Sequence, residues 1–406
     1  MRPVAPNQAN PIKYDRVSLI NLIICDNIDK KGFEVKEDKP WIWQHKSYPH
    51  FEYDLKKLDT LMQEVSRKQG ELIALSRVIS SKNLQESQLN ALENEIIFSS
   101  KIEGEILDRD SVKSSIKERL EITQNYQKKS KESRYVEILL DAHRNYKEDL
   151  TIEKIFKWHY KMFENHNSKL WNIEIGNFRK KGTMQIVSGV IGKERVYYEA
   201  PPSSSLTEEM SAYIRWFNST PTSLLKVAIA HLWFVIIHPF DDGNGRLTRV
   251  ITDRVLSEIE NTTISRLYSM SQNINSDRKG YYNALKQTTG YITKDSPVDI
   301  TFWCEWFFGT LCKSLNEAIT SVEYVVYKAK FWDKHRDSEI NERQTKVLNT
   351  ILDKGKNELT TKIYRKIAKT STATASRDIK ALLLLNCIKQ TEGTSGRNVR
   401  YEVLCF

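Results

Sequence analysis

Residues 226–237 read KVAIAHLWFVII, with one charge at the start and nothing polar afterwards except a histidine. The length and composition suit a helix without a polar face, and such a helix must be enclosed by other elements. The rest of the chain therefore has to supply a shell around it. HPFDDGNGRLTR, residues 238–249, follows at once, and LTRVITDRVLSEIE begins another helix directly after its Gly-Asn-Gly turn. A buried helix thus runs into a loop holding a histidine, two aspartates, a tight glycine turn and two arginines. That is more chemistry than a surface turn needs.

The shell reads mostly as helices. DLKKLDTLMQEVSRKQGELIALS places Leu55, Leu58, Leu61 and Met62 on one stripe, and SQLNALENEIIFSSKIEGEIL is a second helix. EKIFKWHYKMF, SSLTEEMSAYIRWFN, RKGYYNALKQ and ITFWCEWFFGTLCKSLNEAITSVEY follow, the second of these four opened by Ser and Pro residues suited to a cap. One segment differs. TMQIVSGVIGKERVYYEAPP, from Thr183, holds two Val/Ile/Tyr-rich runs around a turn with Gly192 and Lys193, which reads as a β-hairpin. From about Asn341 the order is helix, helix, helix, hairpin, the layout of a winged helix. Residues 1–40 support no assignment.

A chain of 406 residues accommodates two or three domains, and 40% hydrophobic with 28% charged residues is ordinary for a soluble globular protein. The net charge of +10 suits an acidic partner: nucleotide phosphates, nucleic acid or an acidic protein surface. The N-terminus lacks the apolar core of a signal peptide, and no apolar run is long enough to span a bilayer. Cys25, Cys304, Cys312, Cys387 and Cys405 are scattered without a CxxC pair, which argues against a disulfide framework or a zinc site. The expectation is a reduced, cytoplasmic protein with no membrane partner.

Within the loop, His238 is a side chain that accepts a proton near neutral pH. Asp242 is a hard oxygen donor suited to Mg²⁺. Gly243, Asn244 and Gly245 let successive backbone N–H groups turn inward at a helix start, where they bind anions. Arg246 and Arg249 share one face near the positive end of that helix, an unfavourable place unless an anion lies beside them. A polyphosphate resolves the conflict. The simpler reading is a tight turn between two helices with surface arginines. No Walker-type GxxxxGK(S/T) occurs, so an ordinary P-loop is excluded.

HPFDDGNGRLTR resembles the signature of the Fic family, HxFx(D/E)GNGRxxR, and matches it at His238, Phe240, Asp242, Gly243, Asn244, Gly245, Arg246 and Arg249. GNFRKKGTMQIVSGVIGKERVYYEAPP resembles the strip ahead of that motif in bacterial Fic proteins, which forms their flap. WIWQHKSYPHFEYD resembles the aromatic start of an N-terminal helical domain often joined to Fic, and a C-terminal winged helix is a common companion. The resemblance implies transfer of AMP from ATP to a Ser, Thr or Tyr hydroxyl of a target protein, or of the chain itself, with release of pyrophosphate. His238 would be the base and Asp242 the Mg²⁺ ligand. Residues 243–245 would cradle phosphates, Asn244 helping through its side chain, while Arg246 and Arg249 contact the β- and γ-phosphates. Phe240 would anchor the loop in the core.

The resemblance also assigns the hairpin strand with Val187 and Ser188 to an edge that aligns the target, and Tyr282 to the side of adenine. Thr289 stands where the family often has an asparagine, so an adenine contact there is not implied. SSKIEGE stacks Ser99 and Glu103 on one helix face ahead of Gly104. It is similar to the inhibitory motif (S/T)xxxE(G/N), whose glutamate would pair with Arg249 and keep it from ATP.

The expected fold is mainly α. An N-terminal helical domain would cover residues 1–84, a Fic helical core with the inhibitory helix and one β-hairpin residues 85–330, and a winged helix-turn-helix residues 331–406. In the tail, Ser371, Thr372, Thr374, Ser376, Arg377 and Lys380 would face a DNA groove, with Arg397 and Arg400 on the wing; protein docking is the other use of such a module. The competing reading of the whole chain is a DNA-binding transcriptional regulator whose Fic domain senses nucleotide. A homodimer through the N-terminal helices or the tail is compatible with either.

Overall fold

A computed structural model describes residues 41–120, 130–164, 173–180, 184–188, 195–261, 267–290, 296–353, 358–394, 396 and 399–404. The expectations for residues 1–40, for Thr183, for the hairpin tip with Gly192 and Lys193, and for Arg397, Cys25 and Cys405 lie outside the described residues. The protein is mainly α. The helices are α1 (Leu55–Ser76), α2 (Ser81–Ile102), α3 (Arg109–Arg119), α4 (Lys131–Arg144), α5 (Ile152–Phe163), α6 (Leu206–Ser219), α7 (Leu224–Ile237), α8 (Asn244–Glu260), α9 (Met270–Ser276), α10 (Arg278–Thr289), α11 (Thr301–Lys334), α12 (Glu342–Asp353), α13 (Thr361–Ala368) and α14 (Thr372–Leu384). The strands are β1 (Gln185–Ser188), β2 (Arg195–Glu199), β3 (Glu358–Leu359), β4 (Ile388–Gln390) and β5 (Tyr401–Val403).

Most helices start where the sequence offers a side-chain oxygen to the orphan N–H groups of a first turn. Asp54, Ser80, Asp108, Ser130, Thr151, Ser223, Ser269, Thr360 and Ser371 all accept from the backbone in this way. The serines before α6 do not cap it; Ser203–Ser205 form a separate 3-10 turn. α2 is shorter than its sequence period suggests. It stops at Ile102 because Gly104 turns left-handed, with φ 82°, a conformation glycine adopts without strain.

α7 is the enclosed helix. Every residue from Lys226 to Ile237 is buried. α8 and α6 pack against it, and α11 crosses it. Trp303 of α11, with no exposed surface, donates its indole N–H to the carbonyl of Ala228 at 2.8 Å. Within α7, His231 bridges Thr252 Oγ1 at 2.8 Å and the Tyr281 hydroxyl at 3.0 Å, so its polar ring is satisfied inside an apolar core. The aromatic start is packed onto the same core: Trp43 donates to Glu199 O at 2.7 Å, and Tyr48 links Trp233 and Glu209. One continuous hydrophobic cluster runs from Ile42 to Val322.

A second cluster, from Phe331 to Val403, holds the C-terminal helices and strands. α11 carries residues of both clusters, and at 1.5 Å per residue it is roughly 50 Å long. The tail is organised around buried Asp378, which accepts from Tyr364 Oη at 2.9 Å and from Arg343 Nε at 3.2 Å. Its sheet has one strand more than the sequence suggests: β3 pairs with β5, in the order β3-β5-β4. Two residues are too few to leave a β-period in the sequence.

Replacing Trp303 by alanine removes both the largest fully buried side chain and the donor to Ala228. The expected loss is about 3–5 kcal/mol, read as a lowered urea midpoint of the larger cluster. A loss under about 1 kcal/mol would mean that α7 is held by its other neighbours.

Candidate active site

α7 ends by breaking hand. His238 sits at φ 47° and ψ 60°, and Pro239 follows, which turns the chain away from the helix. The imidazole Nδ1 lies 3.3 Å from the carbonyl of Val235. A carbonyl only accepts, so Nδ1 carries the proton and Nε2 keeps the lone pair. Burial, reinforced by the positive charge of Arg179, pushes the His238 pKa down to about 4. At neutral pH the ring is an uncharged base.

The loop then runs over an aromatic floor. Phe240 is fully buried and stacks on His159 with ring centroids 4.1 Å apart. His159 Nδ1 accepts the N–H of Gly176 at 2.9 Å, so its proton is on Nε2, which donates to the carbonyl of Asp242 at 3.1 Å. Two further loop carbonyls are taken from the other side: Pro239 O by the backbone N–H of Arg179 and His238 O by Arg179 Nε, each at 3.0 Å. All three of these carbonyls are thus bonded to donors outside the loop. Residues 244–246 open α8, so their N–H groups have no partner within it.

Asn244 is fully occupied. Its Oδ1 accepts from Phe240 N at 2.9 Å and its Nδ2 donates to Phe240 O at 2.7 Å. The sequence reading gave this side chain a share in holding phosphate. In the structure it closes the loop on itself. Gly243 has φ 82°, and a Cβ there would meet the Phe163 ring at 2.9 Å. At Gly245 an added Cβ would collide with the Glu103 carboxylate, which shows how closely that acid covers the amides.

Both arginines are engaged. Arg249 donates from Nε to Ser99 Oγ and from Nη2 to Ser99 O and Glu103 Oε1, each at 2.8 Å. Ser99 Oγ is in turn 2.6 Å from the Tyr135 hydroxyl. Burial works against the charge on Arg249, yet Glu103, together with Tyr135 and Tyr281, outweighs it and holds the guanidinium above its ordinary pKa. Arg246 donates to Glu105 at 2.8 Å and to Asp242 at 3.3 Å, and its guanidinium lies 5.1 Å from the centre of the Phe163 ring. Glu105 also pairs with Lys131 of α4. Among the described residues, Arg246 Nε and Arg249 Nη1 are buried donors without a hydrogen-bond partner.

Asp242 is exposed at the mouth of the loop, and one of its oxygens accepts from Gly243 N at 2.5 Å. Among the described residues no group of three or more His, Cys, Asp or Glu side chains could hold a metal by itself. A single carboxylate beside an anion cradle fits Mg²⁺, which keeps water and substrate phosphates as its other ligands.

Tyr282 is half-buried at the edge of the site, with the Arg278 guanidinium 5.6 Å from its ring centre. Burial, with Glu103 as the next cause, raises its hydroxyl pKa. Its neighbour Tyr281 is the core residue, bonded to His231. Thr289 turns inward, onto the carbonyl of Leu285. In the hairpin, Gln185 to Ser188 pair antiparallel with Arg195 to Glu199, with an irregularity between Ile186 and Val187.

The site brings His238, Asp242, residues 243–246, Arg249, Ser99 and Glu103 together. Three residues that act on it had not been singled out: Glu105, His159 and Arg179. Glu105 stands two residues beyond Glu103, and Arg179 lies within the strip GNFRKKG, but nothing in the local sequence says what either side chain meets.

Residues 149–256 match the family model described as Fic/DOC family, and residues 41–122 match one described as a domain of unknown function, DUF4172. The protein adenylyltransferase Fic of Drosophila melanogaster is 33% identical over 112 residues, covering 27% of this chain and 20% of that protein. That of Nematostella vectensis is 26% identical over 144 residues, covering 34% and 29%. The chain thus spans about a fifth of the length of the Drosophila relative. Among solved structures, a Fic family protein from Desulfovibrio desulfuricans G20 is similar over 85% of this chain and 96% of its own, at 18% identity and a TM-score of 0.47. Fic-1 from C. elegans is similar over 66% and 74%, at 17% identity and a TM-score of 0.46.

Two fully buried histidines of this region have strongly lowered pKa values. Burial holds His159 at about 4 and His231 at about 3. The unfolded chain protonates these rings below about 6.5 while the folded one does not, so stability falls as pH drops from 6.5. Each ring is expected to contribute up to about 1.4 kcal/mol per pH unit. Urea midpoints at pH 6.5 and 5.0 test this: His231→Gln should flatten the dependence, and an unchanged slope would show that His231 does not titrate in this window.

Proposed function

With residues 149–256 a Fic/DOC domain, we propose that this protein is an adenylyltransferase that moves AMP from ATP to a hydroxyl side chain of a target protein and is held in check by its own residues 103–105. The observation that carries the reading is the coincidence, in one loop, of a neutral base, free amides at a helix start and two buried arginines with donors to spare.

His238 Nε2 takes the proton of the target hydroxyl. The oxygen forms a bond to the α-phosphorus, the α–β phosphoanhydride bond breaks, and pyrophosphate leaves. The amides of 244–246 and the guanidinium groups of Arg246 and Arg249 neutralise the phosphates and fix their orientation, which is most of what phosphoryl-type transfer requires. Asp242 would hold Mg²⁺, which supplies charge neutralisation at the phosphates. The edge of β1, with Val187 and Ser188, supports pairing with an extended target segment. Tyr282 would lie beside the adenine.

The check has two prongs in this reading. Glu103 takes Arg249 and Glu105 takes Arg246, so a single turn occupies both cationic groups that would hold the terminal phosphates. The test uses ATP labelled on the α-phosphate with Mg²⁺ and the purified unaltered, Glu103→Gly, Glu105→Gln and Glu103→Gly/His238→Ala forms. Glu103→Gly is expected to raise incorporation on the order of tenfold or more, corresponding to about 1.4 kcal/mol of lost competition. Glu105→Gln should raise it less, since Arg246 keeps Asp242. Adding His238→Ala should abolish it. Equal labelling of the unaltered and Glu103→Gly forms would remove the self-inhibition reading, and labelling that survives loss of His238 would remove the base.

The C-terminal unit supports a second reading, a winged helix that binds DNA, with the Fic domain as a nucleotide sensor. On α14, Thr372, Ser376, Arg377 and Lys380 are exposed together. Short polar and basic side chains on such a face suit phosphate and groove contacts. Charge reversal at Arg377 and Lys380 is expected to abolish retention on a DNA column at low salt; unchanged retention would favour protein docking.

A further inference from the structure

The segment 173–180 has no regular structure, yet it is fastened to the catalytic loop at successive points. Glu174 N donates to Asp241 Oδ2 at 2.9 Å and Arg179 N to Pro239 O at 3.0 Å. The Arg179 side chain goes further. Nε donates to the carbonyl of His238 at 3.0 Å, and Nη2 donates to the carbonyl of Pro201, two residues beyond the end of β2. The side chain is 2% exposed, and its Nη1 has no hydrogen-bond partner among the described residues.

This is an expensive way to fasten a loop. Both side-chain hydrogen bonds go to neutral carbonyls rather than to a carboxylate, and burying a charge without close pairing costs several kcal/mol. Burial pulls the Arg179 pKa down to about 10, with Asp241 only partly compensating. A neutral donor would tie the same carbonyls at a lower cost, so the fork and the charge call for another explanation.

We propose that Arg179 is a positioning residue for His238: it pins the base's left-handed turn, joins it to the root of the hairpin, and places a fixed cation beside the imidazole. This rests on the reading of His238 as the base. A non-glycine residue at positive φ is strained and persists only when its surroundings hold it. Arg179 Nε fixes the carbonyl of that residue, and the Nδ1 bond to Val235 O fixes its ring. Because Nη2 holds Pro201, the base and the strand edge that would align a target hydroxyl move as one body. Burial opposes protonation of His238 most and the cation adds to it, while the Val235 carbonyl, Glu103 from the end of α2 and Asp242 from the loop act the other way. Once Glu103 withdraws, the balance shifts further towards the neutral ring.

The experiment uses the full chain in the Glu103→Gly background, with Arg179→Met and Arg179→Lys. Three quantities are measured: kcat and KM for ATP in self-modification, the pH midpoint of the His238 ring by carbon-13 histidine NMR (assigned by loss of the signal in His238→Ala), and the melting temperature. A folded Arg179→Met form should lose on the order of 10²-fold in kcat with little change in KM, as expected for a misplaced reacting group. Its His238 midpoint should move up towards the ordinary value near 6.5. Arg179→Lys keeps the charge but cannot bridge both carbonyls. Its midpoint should stay low while kcat falls, and this form decides the clamp if the methionine form does not fold. An unmoved midpoint together with kcat within about threefold of the parent, in either folded variant, overturns the proposal. If no form transfers AMP, the ring titration still reads the effect of Arg179, so failure of the adenylyltransferase reading is distinguishable from failure of this one.

Discussion

Two arginines stand in the first turns of α8, where the helix dipole is positive and a cation is out of place. Their side chains are nearly fully buried, 8% exposed for Arg246 and 2% for Arg249, so water does not relieve them. The centre of the molecule is arranged around this conflict. A three-residue turn, Glu103 to Glu105, brings one carboxylate to each guanidinium, and Ser99 adds a hydroxyl and a carbonyl. That arrangement requires α2 to stop at Ile102, Gly104 to turn left-handed, and α4 to supply Tyr135 and Lys131. Residues matching two separate family models, 41–122 and 149–256, therefore meet in one ion-pair network around two buried guanidinium groups.

The anion-binding character of the loop depends on the direction of its peptides. Carbonyls of residues 238, 239 and 242 are each claimed by a donor outside the loop, and Asn244 closes the backbone of Phe240 from inside. Phe240, His159 and Phe163 form the floor against which Gly243 turns, with no room for a side chain. The amides are thus oriented before any ligand arrives. Such preorganisation is what makes fixed dipoles effective towards phosphate, since none of them has to reorient on binding.

Much of this was legible in the sequence, because the relevant properties are local. A helix without a polar face announces burial at α7, Gly-Asn-Gly announces the turn, and two arginines three apart near a helix start announce a missing anion. The one cap read from the sequence, the serines ahead of α6, failed, because Ser203–Ser205 form a turn of their own. What stayed hidden is tertiary. Glu105 meets Arg246 across 141 residues and Arg179 meets His238 across 59, and no local pattern encodes either partner. Asn244 was misjudged for a related reason: an amide side chain in a phosphate loop suits the ligand and the loop backbone equally, and only the fold shows that the backbone has both its ends. The early stop of α2 and the two-residue strand β3 also depend on what packs against them, not on period.

The network constrains how the site can be opened. In the proposed reading ATP would bring anionic oxygens that suit both arginines, but a ligand shifts an equilibrium only by its differential affinity for the two states. Glu103 and Glu105 are already tethered beside the arginines, so they would compete at a high effective concentration. Removing a single carboxylate leaves the other in place on the same short turn, and Lys131 still anchors Glu105 to α4. On that reading, full release would require the segment after Ile102 to move as a unit away from α8. Arg249 cannot be left bare in that motion, since an unpaired buried guanidinium is strongly unfavourable. In the proposed reading, withdrawal of the turn and arrival of the phosphates would be two parts of one exchange, and whatever drew the end of α2 outward would raise nucleotide affinity by the same factor by which nucleotide favoured that outward position.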